Sequence, residues 1–312
     1  MRNKCLYCYK RLKNEVDFHE KCSLTFFGQK EAPALPYNFD QMAELAKNVV
    51  ERSITVPGVQ PKLSMSLIDE TNELAHSRLT IVGALGGNYI FKPPSNDYSE
   101  MPANEHLTMR IAESFGIQTV PSSLIRLQSG ELSYITKRID RREGGEKKHM
   151  LDMFQITEAF DKYKSSSEKI GKALGNYSSN TLLDKLFFFE LTLFSFLTGN
   201  NDMHLKNFSM IETDIGWSLA PAYDLLNATI VNPEDKEEMA LTLNGRKNKL
   251  EKIDFKALGD NLNLTSKQIE GVFGRFYKLK SEGLKWIKNS FLSENMKTLY
   301  KETMEVRYAK IF

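Results

Sequence analysis

Residues 186–197, LFFFELTLFSFL, constrain this chain more than any other stretch. A helix that is apolar all round cannot lie on a surface and has to be enclosed by other elements. The run falls short of the roughly 20 apolar residues needed to span a bilayer, and it carries Glu190. The expectation is a buried helix over 182–197, inside a helical lobe able to cover it.

The 312 residues exceed what one small core needs and predict two lobes. Forty-two basic residues face forty acidic ones, so net charge gives no electrostatic grounds for direct binding to nucleic acid or to a membrane. The N-terminus is polar and cysteine-bearing, unlike a secretory signal. Three cysteines, an odd number, argue against a disulfide framework and for a reducing, cytoplasmic setting.

Along the chain, a polar head (1–30) runs into the Pro-bearing stretch EAPALPYN (31–38) and a helix-like DQMAELAKNVVERS. A β-rich region follows, so that 31–138 reads as a small lobe. KLSMSLI (62–68) alternates apolar and polar residues as a half-buried strand does, and NYIFK (88–92) is a second strand stopped by Pro93 and Pro94. A helix is predicted over 102–115, with Leu107, Ile111 and Phe115 on one face and Gly116 ending it. SSLIRL and SYITKR read as a hairpin. Past a hinge near residue 137, residues 139–312 read as a larger helical lobe. Ser165 and Glu168 have capping-box spacing there, and FSMIET with WSLA forms a hairpin around Asp214, Ile215 and Gly216. The predicted class is α+β: a small β-rich N-lobe and a larger helical C-lobe.

The chemistry concentrates in GNNDMHLKNFS (199–209) and LAPAYD (219–224). Asp202 and Asn207 have the D-x-x-x-x-N spacing of a kinase catalytic loop. A carboxylate there can take the proton of an attacking hydroxyl, and an amide oxygen can hold magnesium on nucleotide phosphates. Asp224, beyond the hairpin, supplies a second metal ligand of the kind magnesium favours. The bland alternative is that Asp202 caps a helix or closes a turn. Lys92, ending its strand, is placed to pair nucleotide phosphates, with Glu105 as a candidate partner; an exposed strand-end lysine is the alternative. The loop SITVPGVQPKLS (53–64) can wrap phosphates with backbone N–H groups, yet by spacing alone it is a strand-entry turn. TKRID (136–140), at the lobe junction, offers a backbone edge to adenine.

The segments VPGVQPKLS, FKPP, NEHLTMRIA, DMFQITE, GNNDMHLKNFS, LAPAYDLL and ALTLNGRKNK occur in the order found in HipA-like serine/threonine kinase toxins, which the chain resembles over about 50–310. A start close to the kinase core, without the extra N-terminal subdomain of full-length HipA, resembles the HipT kinases of three-component HipBST systems. The resemblance identifies this layout with a two-lobed protein-kinase-like (HipA-like) fold that uses ATP and Mg²⁺. Asp202 would then be catalytic, with Asn207 and Asp224 as magnesium ligands. Lys92 would meet the nucleotide phosphates, and Pro57, Gly58, Val59, Gln60, Pro61 and Lys62 would form the phosphate loop. His204, Lys206 and Tyr223 would contribute to nucleotide binding, and Lys137, Arg138 and Ile139 would form the hinge. Autophosphorylation would fall on both Ser53 and Thr55, with Ser53 favoured and ordinary cap or turn roles as the alternative. The implied protein substrate is an aminoacyl-tRNA synthetase, tryptophanyl first and glutamyl second. The implied partners are a small HipS-like protein and a HipB-like helix-turn-helix antitoxin, through which alone DNA would be reached.

All three cysteines lie in the head. Cys5-x-x-Cys8 and His19-x-x-Cys22 can close a tetrahedral structural Zn²⁺ site; packed, metal-free thiols are the alternative. Two competing functions share some of these features: a small-molecule kinase of the aminoglycoside-phosphotransferase type, and a non-catalytic pseudokinase binding module. The Ser-Ile-Thr loop argues against the first, and the joint presence of Asp202, Asn207, Asp224 and Lys92 against the second.

Overall fold

The computed structural model describes residues 3–52, 62–68, 77–82, 86–98, 100–142 and 145–312. The chain divides into two compact units, Met1–His106 with Val120–Glu146, and Leu107–Thr119 with Lys147–Phe312. The cysteine-bearing head thus belongs to the same unit as the β-rich region.

In the N-terminal unit, helix α1 (Glu20–Phe27) stops at Gly28, whose φ of 82° lets the last turn close in the left-handed region. Helix α2 (Phe39–Arg52) precedes strands β1 (Leu63–Ile68), β2 (Arg78–Ile81) and β3 (Tyr89–Lys92). Helix α3 (Met101–Ser114), which belongs to this unit as far as His106 and to the other from Leu107 on, and strands β4 (Ser122–Arg126) and β5 (Leu132–Lys137) follow. The five strands form one antiparallel sheet in the order β2-β1-β3-β5-β4. Leu63 and Met65 are buried while Ser64 and Ser66 are half-buried, so the alternation in the sequence is the alternation of the sheet. Gly116 (φ 83°) follows α3 as predicted.

The C-terminal unit carries β6 (Met150–Asp152), α4 (Met153–Ile156), α5 (Ser167–Tyr177) and α6 (Thr181–Leu197). Then come a 3₁₀ turn (Leu205–Asn207), β7 (Ser209–Thr213), β8 (Gly216–Leu219), α7 (Lys252–Asn261), α8 (Ser266–Asn289) and α9 (Glu294–Ile311). Strands β6, β7 and β8 make a small antiparallel sheet. Helix α6 is the centre of this unit, and every residue from Phe188 to Leu197 is buried. Its rings meet neighbours on several sides: Phe189 on Phe273 of α8, Phe196 on Phe255 of α7, Phe188 on Phe208, and Phe194 on Phe115. Its few polar groups are satisfied locally. Thr192, Ser195 and Thr198 donate to carbonyls four residues back at 2.7–2.9 Å. Glu190 pairs with Arg275 at 2.7 Å, and burial raises its carboxyl pKa. Among the described residues no helix is long and apolar enough to cross a membrane.

One cap is displaced by a residue from its expected place. Ser166, not Ser165, accepts the Lys169 N–H at 3.2 Å, while Glu168 accepts from Asn244 N–H at 2.8 Å. The Ser165 carbonyl is taken by the Thr242 N–H, which fixes the register of the three serines.

Candidate functional site

Helix α6 delivers its C-terminus into the GNND block, and the backbone there is shaped by packing. Gly199 has φ +72°, and a Cβ on it would lie 2.5 Å from Thr303 Cγ2 and 2.7 Å from Asn227 Oδ1. The Gly199 carbonyl accepts from both the N–H and the hydroxyl of Thr229 at 3.1 and 2.9 Å. Only glycine meets both demands.

The following loop is closed by its own members. The Asp202 carbonyl accepts from His204 N–H at 2.8 Å and from Asn207 Nδ2 at 2.9 Å. With its NH₂ group committed inward, Asn207 offers its amide oxygen as the remaining ligand atom. The Asp202 carboxylate accepts from the Tyr163 hydroxyl at 2.8 Å. Burial, reinforced by the charge of Asp202, pushes the Tyr163 phenol well above its usual range, so it stays a donor. His204 is buried, packs edge-on against Tyr163, and has Nδ1 without a hydrogen-bond partner among the described residues. Burial pushes its imidazole pKa down, against the fields of Asp202 and Asp224. Lys206 is exposed with its ammonium 4.9 Å above the Phe154 ring.

Asp224 is reached through a pinned segment. Ala220 N–H donates to the Ser209 carbonyl and Ala222 N–H to the Gln118 carbonyl, both at 2.8 Å. The Tyr223 phenol donates to the Lys206 carbonyl at 3.0 Å and shares a 2.5 Å hydrogen bond with Ser209 Oγ, tying the Asp202 loop to the Asp224 segment. Asp224 itself has φ +55°, a left-handed conformation that short polar side chains tolerate best. Strained backbone of this sort concentrates at functional positions. A carboxylate and an amide oxygen are donor types that a magnesium ion could use when its remaining ligands come from phosphate and water.

In the N-terminal unit, Lys92 is buried, which removes the exposed-lysine alternative. Its ammonium meets Glu105 at 2.6 Å with the two side chains 4% and 1% exposed, and sits 5.3 Å from the centre of the Tyr134 ring. At the end of β5, Lys137 N–H donates to Pro121 O and Arg138 N–H to Asn88 O, so both amides are already engaged. The Arg138 guanidinium clasps Asp140 at 2.7 and 2.9 Å. Any adenine contact on this edge would therefore use carbonyl oxygens or the half-buried Ile139. Lys62 is exposed just ahead of β1. Pro57, Gly58, Val59, Gln60, Pro61, Ser53 and Thr55 lie outside the described residues.

The head brings Cys5, Cys8, His19 and Cys22 together, with one ligand atom from each within 4.8 Å of the others. Hydrogen bonding from the Cys8 thiol, outweighing burial, moves Cys5 toward the thiolate. Tyr163 was not anticipated from the sequence: it lies 39 residues before Asp202 in an irregular segment with no periodic signal.

The fold is kinase-like, as its likeness to two solved structures shows. A solved HipA from Shewanella oneidensis, in complex with HipB and operator DNA, superimposes with a TM-score of 0.68 at 21% identity, covering 86% of this chain and 70% of that one. The Helicobacter pylori proinflammatory kinase CtkA gives 0.53 at 18% identity, covering 72% and 87%. The HipA-like C-terminal domain matches residues 54–282, and the chain belongs to the HipA-like family. Sinorhizobium fredii "Putative kinase Y4dM" is 34% identical over 230 residues, 69% of this chain and 54% of its own length. The serine/threonine-protein kinase toxin HipA of Shewanella oneidensis is 27% identical over 206 residues, 59% of this chain and 45% of its own. The chain thus spans about half the length of these two relatives.

Proposed function

We propose that this protein is an ATP-dependent serine/threonine protein kinase toxin of the HipT type. The observation that carries this reading is the Asp202–Asn207 loop, which is closed by Asn207 Nδ2 on the Asp202 carbonyl while Tyr163 orients the Asp202 carboxylate. Membership of a family with kinase-named relatives supports it.

In this mechanism Asp202 accepts the proton of a serine or threonine hydroxyl as its oxygen attacks the γ-phosphorus. The new O–P bond forms as the β,γ-bridging P–O bond breaks and ADP leaves. The Asn207 amide oxygen and Asp224 would hold a magnesium ion, which would supply charge neutralisation on the phosphates. Lys92, fixed by Glu105, meets phosphate oxygens, as do the N–H groups of Gly58, Val59, Gln60 and Lys62, Pro57 and Pro61 having none to give. His204 and Lys206 contact the nucleotide, Tyr223 braces the loop, and residues 137–139 meet the base.

The protein substrate in this reading is an aminoacyl-tRNA synthetase, tryptophanyl before glutamyl, in the cytoplasm. Ser53 or Thr55 receives a regulatory phosphate, whose charge beside the phosphate loop would oppose nucleotide binding. A HipS-like protein and a HipB-like antitoxin are the partners, and DNA is reached through the latter, as support from the solved HipA–HipB–operator assembly suggests. The test is intact and peptide mass spectrometry of phosphatase-treated protein after incubation with magnesium and ATP, beside Asp202→Asn. Phosphate on Ser53 or Thr55 in the wild type alone, and transfer to a purified synthetase, is the expected result. Absence of transfer to itself and to a panel of synthetases overturns the reading.

A further inference from the structure

A head of fewer than thirty residues has little core of its own, and small elements of this kind commonly add metals or disulfides to the packing they share with a larger unit. Cys5, Cys8 and Cys22 are free thiols, so no disulfide closes it. The spacing of the four polar side chains is instead that of a coordination shell. His19 Nδ1 lies 3.5 Å from Cys8 Sγ and 3.8 Å from Cys22 Sγ. A tetrahedral zinc with its usual bond lengths sets sulfur and nitrogen about 3.5 Å apart.

The imidazole is oriented for the task. Its Nε2 lies 3.1 Å from the Arg11 carbonyl, an atom that only accepts. Nε2 therefore carries the proton, and Nδ1 turns a lone pair toward the sulfurs, the usual outer support of a ligating histidine. The backbone complies as well. Tyr9 N–H turns back to the Cys5 carbonyl at 2.9 Å, with Tyr9 at φ +61°, and His19 leads into α1, whose first turn presents Cys22.

The head is joined to the two elements that carry the buried ion pair. Tyr9, directly after Cys8, is buried and places its hydroxyl 2.9 Å from His106 Nδ1 on α3. His106 follows Glu105. On the other side, Phe26 and Phe27 of α1 pack on Tyr89 at 6.0 and 6.4 Å, and Tyr89 opens β3, the strand that ends in Lys92. The Arg126–Asp17 pair at 3.1 Å adds a third tie, to β4.

We propose that Cys5, Cys8, His19 and Cys22 hold one structural zinc ion, and that the zinc-closed head positions α3 and β3 so that Glu105 and Lys92 stay in register. Four protein ligands leave no open coordination position, so the ion has no chemical step of its own. Its binding free energy becomes folding free energy of the head, delivered to α3 through Tyr9. The zinc site stands by itself, whereas an effect on nucleotide affinity rests on the kinase reading above.

The experiment uses the full chain, purified without chelator. Metal analysis is expected to give about one zinc per chain. Cobalt added after zinc removal is expected to give thiolate-to-metal charge-transfer bands and tetrahedral d–d bands, a measurement that needs no variant to fold. Tyr9→Phe should keep the zinc, speed amide exchange across residues 101–106 and weaken Mg-ATP binding about fivefold. A hydroxyl with a merely structural role would lower Tm and leave Kd unchanged in the folded fraction. A chain without zinc whose cobalt form lacks thiolate bands overturns the metal site. Exchange in α3 that is the same in holo, stripped and Tyr9→Phe protein overturns the positioning role. If cobalt and exchange behave as expected while Mg-ATP binds neither protein, the kinase reading fails and the zinc-held head stands.

Discussion

Lys92 and Glu105 lie at 4% and 1% exposure with 2.6 Å between their charges, each fixing the other. In the C-terminal unit Asp202 is half-buried and takes its hydrogen bond from a neutral phenol, and no ion pair to it occurs among the described residues. Its backbone is instead fixed by Asn207, His204 and the close packing at Gly199. The difference separates two ways of holding charge. A buried pair sets geometry but is held at a desolvation cost, so removing one partner is expensive. A carboxylate held through neutral contacts keeps its charge available for a proton or a metal-bound substrate, and removing that charge costs the fold little.

The strongest way to break the contrast is kinetic. Asp202→Asn is expected to lower phosphoryl transfer about 10³-fold, roughly 4 kcal/mol of barrier, with Tm nearly unchanged. Initial rates beside thermal melts check both halves; a variant that keeps a tenth of the activity would show that Asp202 is not the base. Asp224→Asn is the companion, because Asn adopts φ +55° as readily as Asp and leaves the backbone intact while removing charge. Loss of magnesium-dependent nucleotide binding is expected there.

Glu105→Ala inverts the pattern. It leaves the Lys92 ammonium buried without its carboxylate and should cost about 3 kcal/mol in urea unfolding. The double variant Lys92→Met with Glu105→Leu should recover most of that stability and none of the activity. A single-variant loss below about 1 kcal/mol would mean the pair behaves as a solvated one, and the contrast would collapse.

Next in size comes Gly199→Ala, expected to cost about 2 kcal/mol because a strained φ and an overlap with Thr303 and Asn227 coincide. This sharpens the comparison, since it disturbs the Asp202 loop without touching a charge.

What could be seen in the sequence depended on how local each cause was. Helix α6 was legible because apolar residues on all sides leave one physical option, and the β7–β8 hairpin because Gly216 punctuates it. Asp202 and Asn207 could be related because the bond that closes their loop spans only five residues. The pairing of Lys92 with Glu105, thirteen residues apart across a strand and a helix, was within reach; its depth of burial was not, since that depends on distant elements. Strand β2 went unseen because four residues with one fully buried side chain, Leu79, carry no period, and only pairing with β1 defines them. Strand β6 pairs with β7, about sixty residues later, and has no signature of its own. Ser165 and Ser166 could not be told apart as caps, because the deciding bond comes from Thr242.

The smallest effect concerns His204, which stands between the two modes: buried like Lys92, yet without a fixed counter-charge at hydrogen-bond distance among the described residues. Burial holds its pKa below the ordinary 6.5, against the pull of Asp202 and Asp224 and with the help of Lys162. Below pH 6.5 the unfolded chain therefore takes up a proton that the folded chain resists. The contribution to stability is full above that pH and is lost as pH falls toward and through the depressed value, with a slope of at most about 1.4 kcal/mol per pH unit. Glu113 and Glu190, whose pKa values burial raises, act with the opposite sign as pH falls toward 4.5, so the raw profile mixes the two. Subtracting the profile of His204→Gln isolates the histidine. A difference that grows between pH 7 and 5.5, with the wild type losing more stability, is expected from urea melts across that range. A flat difference would mean that His204 takes up its proton as easily folded as unfolded, and that the Asp202 loop tolerates a buried cation beside it.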